Sequence, residues 1–186
     1  MANVNRPGFV LIGTISGSPI NGNVRKRQMT GSTAIFPGDA VKLDDATGLV
    51  APAAAGDTLL GVCVGPVVDR SIVSTEHPGY ASASSGAYIL VAEGPDYLYE
   101  VQEGASGTAL TVAAVGSNVD IVATAGSTTL GTSGHILDRS TVTDGSPGSA
   151  QLRLIDVVNR VDNELGDYCK WVVRINEHSH RELTGL

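Results

Sequence analysis

His178 and His180 stand two residues apart, with Glu177 and Glu182 beside them. On a strand that spacing puts both imidazoles on one face, as two ligands of a metal ion would need. It matches no specific zinc pattern and lies at a chain end, so a solvated terminal run is the expectation. Asp39, Asp44 and Asp45 could offer oxygen ligands to calcium, but the Asp-x-Asp-x-Asp-Gly order is missing. Asp favours turns by hydrogen-bonding its own backbone, and a turn is expected here. Thiol chemistry at Cys63 or Cys169 would need an exposed, electropositive setting. Both sit in apolar runs, GVCVG and YCKWVV, so buried free thiols are expected. His135 has no acid or nucleophile beside it in sequence and reads as a structural histidine. Gly13 to Gly17 and Gly104 to Gly107 lack the strand–helix setting of a phosphate loop and read as turns. No catalytic residue, metal ligand or cofactor site is assigned.

The cations form the other candidate site. Met1 to Gly38 hold Arg6, Arg25, Lys26 and Arg27 and no acid, while the rest of the chain holds eight cations against the full 19 acids. A segment of +4 thus precedes a remainder of −11, leaving −7 overall. With little apolar periodicity to build a core, residues 1–31 are expected to be an extended basic N-terminal arm lying on another surface. Arg6, Phe9, Arg25, Lys26 and Arg27 are its candidate contacts. Three adjacent cations without aromatic neighbours are a weak nucleic-acid signal, and the acidic remainder opposes a polyanion. A protein partner is favoured, with no direct nucleic-acid contact. The run Phe9 to Ile15 is too short to span a bilayer and lacks a cleavage region, so a soluble protein made in the cytoplasm is expected, with no membrane partner.

The elements that must position these residues read as strands. Apolar content is 42%, charged content only 17%, and 23 glycines punctuate the chain, which suits short strands and tight turns. Ala40 to Leu43 and Gly48 to Ala51 flank a hairpin loop at Asp44 to Thr47. Gly61, Cys63 and Gly65 alternate in an apolar run and form a small-residue face that another strand or chain can approach. Ala87 to Ala92 and Tyr97 to Gln102 are strands around the turn Glu93 to Asp96. Asn118 to Val122 and Gly134 to Leu137 also have strand character. Gln151 to Arg160 and Tyr168 to Asn176 form the clearest pair, joined by a loop holding Asp162, Asn163 and Gly166. Gly166 suits a positive φ. Cys169, Trp171, Val173 and Ile175 share an inward face, with Trp171 a core anchor or, alternatively, an interface hot spot. The expected fold class is all-β, a compact strand-rich body over 32–186.

The stretch Tyr97 to His178 resembles the capsid decoration (cement) proteins of tailed bacteriophages. Tyr99-Glu-Val-Gln-Glu103, Val115-Gly-Ser-Asn-Val-Asp120, Gly126-Ser-Thr-Thr-Leu-Gly-Thr-Ser-Gly134 and Leu137-Asp138 carry it. So does Asp162-Asn-Glu-Leu-Gly166, running on to Trp171-Val-Val-Arg-Ile-Asn-Glu-His178. Gly38-Asp-Ala-Val41 and Leu60-Gly-Val-Cys-Val64 look like phage small-capsid β-barrel proteins. The resemblance implies a compact antiparallel β-barrel or jelly-roll-like body, possibly two sub-barrels at 32–104 and 105–186, acting as a non-enzymatic homotrimer on the outer surface of the virion that stabilises an icosahedral capsid by bridging major capsid protein subunits. A head-fibre base or tail-associated adaptor is the alternative. A β-sandwich carbohydrate-binding module or small hydrolase is a lesser one, since aromatics for a sugar platform are scarce.

Overall fold

A computed structural model describes residues 3–17, 20, 23–67, 79–84, 86–143 and 150–181. Much of the stretch 73–86, read from sequence as a loop, lies outside them. The fold is all-β, built from two antiparallel sheets, with one 3₁₀ turn at Val112–Ala114 among the described residues.

The six-stranded sheet has the order β1-β7-β11-β10-β8-β9, and the five-stranded sheet the order β2-β6-β5-β3-β4. The strands are β1 (Val10–Thr14), β2 (Val24–Gln28), β3 (Ala40–Leu43), β4 (Val50–Pro52), β5 (Gly61–Pro66) and β6 (Tyr88–Ala92). They continue with β7 (Tyr97–Gln102), β8 (Asn118–Ser127), β9 (Thr132–Thr143), β10 (Leu152–Val157) and β11 (Lys170–Ile175). Alternation decides what faces inward. Tyr97, Tyr99 and Val101 of β7, Leu152 and Leu154 of β10, and Trp171, Val173 and Ile175 of β11 are all buried. They meet Ala40, Val62 and Ala92 of the smaller sheet in one core, with Trp171 the largest fully buried side chain. The opposite face of the smaller sheet buries Val41, Cys63, Ile89 and Val91 with Met29, Ile35 and Val50 in a second cluster.

The expected all-β antiparallel body is what the structure shows, but it does not close into a barrel. The five-stranded sheet curls around its cluster until Met29 bridges to Val50, but one bridge is not a ladder, and the body is sandwich-like rather than a closed barrel. The chain leaves the smaller sheet at Ala92 and enters the larger at Tyr97, so the strands regroup at the turn Glu93 to Asp96, not at 104.

The expectation of an extended arm is also corrected. Within residues 1–31, β1 pairs with β7 and β2 pairs with β6, giving each sheet an edge strand. Phe9 is 4% exposed and meets Tyr99 edge-on, ring centroids 6.3 Å apart. The physical reason is that an edge strand draws its hydrogen bonds from a sheet already present, so one or two buried side chains suffice to hold it.

Gly61 shows why the small residues of β5 matter. A Cβ there would lie 2.1 Å from the Ala92 carbonyl oxygen. The close approach is therefore to β6 of the same chain, and Cys63 lies in the second cluster, leaving only Gly65 of that trio open.

Candidate interaction surface

Among the described residues, three charged clusters, each with a buried acid, join distant parts of the chain. In the first, Arg27 makes a two-pronged contact to Glu93, at 2.5 and 2.7 Å, tying β2 to the end of β6. Burial alone would raise the Glu93 pKa, but the Arg27 hydrogen bonds and charge outweigh it and hold the carboxyl below its ordinary range. His180 Nε2 lies 3.4 Å from the same carboxylate. His178 is fully buried, its Nδ1 accepts from the His180 N–H, and its Nε2 has no partner. Burial, with His180 and Arg181 nearby, pushes its pKa down to about 4. A parallel bridge to Leu59 and two backbone hydrogen bonds, from Leu59 N to Glu177 O and from Ser179 N to Leu59 O, hold this segment against the body. The expectation of a solvated run around His178 is overturned: the terminal turn is docked.

In the second cluster His135 Nδ1 accepts from the Ala40 N–H at 3.2 Å, and Asp39 accepts from the Phe36 N–H at 2.8 Å. Asp39 and His135 lie 3.7 Å apart, and burial raises the acid and lowers the base, which favours the neutral pair. In the third, Arg139 donates to the Ser106 and Gly107 carbonyls and to Asp167, while Glu103 accepts from the Leu110 N–H. The Trp171 indole N–H faces the Glu103 carboxylate, but no acceptor meets it in good hydrogen-bond geometry. Burial, reinforced by nearby acids, pushes the Cys63 thiol up to about 12 and the Cys169 thiol to about 11, so both are protonated at neutral pH and poorly nucleophilic. Among the described residues, no group of three or more His, Cys, Asp or Glu side chains could hold a metal ion, and no helix is long and apolar enough to cross a membrane.

The five residues expected to make contacts part company. Phe9 is core, and Arg27 is committed to Glu93. Lys26 lies 4.2 Å over the Tyr88 ring and Arg25 is exposed, both on the edge strand β2. Outward charge on an edge strand also discourages strand addition. Arg6 lines an open groove of about 450 Å³ with Val10, Glu100, Arg160 and Lys170. There Arg160 already holds Glu100 through two hydrogen bonds, at 2.8 and 3.0 Å. Exposed apolar side chains adjoin two of these cations: Val10 shares the Arg6 groove, and Tyr88 lies under Lys26 with Leu90 opposite it on β6.

In the β10–β11 loop Asn163 donates to the Val158 and Lys170 carbonyls and accepts from the Lys170 N–H. Asp162 takes a hydrogen bond from Arg160, and Gly166 has φ +133°. Asn3 braces the same loop through Glu164 and Asp167. Glu93, Glu103 and Arg139 were not singled out from sequence. The available signal is that both acids end apolar strand runs, YILVAE and YLYEVQE. Compared with known proteins, the chain matches no family model, no curated protein and no solved structure.

Proposed function

We propose that the protein is a structural virion component that decorates an icosahedral phage capsid from outside and stabilises it by bridging major capsid protein subunits, as a homotrimer. Support comes first from the sequence resemblance: its blocks between Tyr97 and His178 fall on β7, β8, β9, the β10–β11 loop and β11 in the larger sheet, and the two earlier segments fall at β3 and β5 of the smaller one. The observation that carries the reading furthest is the division of labour among charges. Buried ionic groups brace strands within the body, whereas Arg6, beside exposed Val10, and Arg25, next to Lys26 on β2, stand at the surface without an ion pair among the described residues. A rigid body with such a surface suits attachment to a protein lattice, where even a standard interface of ~800 Å² per partner gains strength by repetition. The test is co-sedimentation with undecorated phage heads across a salt series. Saturable binding is expected, weakened by added salt and by Arg25→Glu with Lys26→Glu. Absence of binding at any salt, or binding to tails alone, would overturn the capsid reading.

A further inference from the structure

We propose that Arg153 and Arg174, beside the Arg181–Asp96 pair, form an oxyanion site on the outer face of the six-stranded sheet, taking a carboxylate from a partner protein. Arg153 on β10 and Arg174 on β11 are directly opposed in the antiparallel register. Like charges in that position repel, and a sheet gains nothing by keeping them there. Neither has an ion pair or side-chain hydrogen bond among the described residues, and Arg174 Nε is buried without a partner. This sets them apart from Arg27, Lys42, Arg139, Arg160 and Arg181, each of which engages an acid. Burial and the nearby charges of Arg181 and Arg153 all depress the Arg174 pKa, with Asp96 the acid that opposes them. The row continues across the sheet to Leu98 and Gly13, and a Cβ at Gly13 would meet nothing within 4 Å, so the approach is open.

A planar guanidinium pair suits the two oxygens of a carboxylate. Charge complementarity selects protein over nucleic acid. The site is one arginine row wide, it lies beside Asp96, and the chain carries −7, which repels an extended polyanion. The inference rests on the docking reading only for the partner's identity. The experiment needs no capsid, so its failure would remove the site and leave that reading standing.

An acetylated hexaglutamate peptide and a single-stranded oligonucleotide of equal charge are each titrated into wild-type protein, Arg153→Gln and Arg174→Gln at low salt, followed by backbone amide shifts. The peptide is expected to perturb β10 and β11 and to lose about tenfold in affinity in each variant. Arg153→Gln, an exposed position, is also expected to raise the denaturation midpoint without peptide, because repulsion is relieved. Unchanged peptide affinity, tighter binding of the oligonucleotide, or a lowered midpoint in Arg153→Gln would each overturn the proposal.

Discussion

Acidification should loosen the docked C-terminal turn through His178. The imidazole is fully buried, and its pKa is held at about 4 against an ordinary 6.5. The groups acting on it are His180 and Arg181, which oppose its charge, and Glu93 and Asp96, which favour it. Because the folded pKa lies below the unfolded one, the unfolded chain takes up the proton first. Stability is therefore full above pH 6.5 and falls as pH drops toward 4. At ~1.4 kcal/mol per pH unit, the whole gap corresponds to roughly 3 kcal/mol, of which roughly 2 are already lost at pH 5. Other buried groups titrate in acid too, so the decisive quantity is a difference. Urea denaturation of wild type and His178→Gln between pH 7 and pH 4.5 provides it. The variant should be weaker at pH 7, because packing and the His180 hydrogen bond are disturbed, yet its stability should fall less steeply with acid. Parallel curves for the two proteins would refute the reasoning.

Gly166→Val should cost about 1–2 kcal/mol by urea denaturation, a backbone effect, since a Cβ there meets nothing within 4 Å. Gly61→Ala should cost about 2–3 kcal/mol, because its Cβ would press on the Ala92 carbonyl and force β5 from β6. Arg27→Gln should destabilise by about 2 kcal/mol, discounted for the partial exposure of Arg27, because it strips the buried Glu93 of its main partner. Arg25→Gln should leave the melting midpoint unchanged while weakening attachment. Deletion of residues 1–31 should abolish cooperative unfolding in a thermal scan, since it removes both edge strands and Phe9.

Local pattern made most of the strands readable. The Asp44 to Thr47 hairpin, the alternation of Trp171, Val173 and Ile175, and the glycine of the β10–β11 loop all depend on neighbours in sequence. Sheet membership does not. β6 and β7 are four residues apart and read as companions, yet each finds its partners elsewhere, β6 with β2 and β5 and β7 with β1 and β11. The N-terminal strands escaped notice because their stability is borrowed: β2 has the composition of a tail, and only pairing to Ile89 and Val91 of β6 makes it a strand. The burial of His178 is not legible locally, because it depends on Leu59, more than a hundred residues away. Charge imbalance located the basic segment, but not that Arg27 engages Glu93, nor that Arg153 and Arg174, without an ion pair among the described residues, lie in the acidic remainder.

The most direct test of the central claim is a cryo-electron microscopy map of undecorated phage heads incubated with saturating purified protein. The account predicts three-fold protruding density at fixed lattice sites on the outer shell, each subunit fitting the two-sheet body and touching more than one capsid subunit. Bare shells, or density confined to the portal vertex or tail, would contradict it.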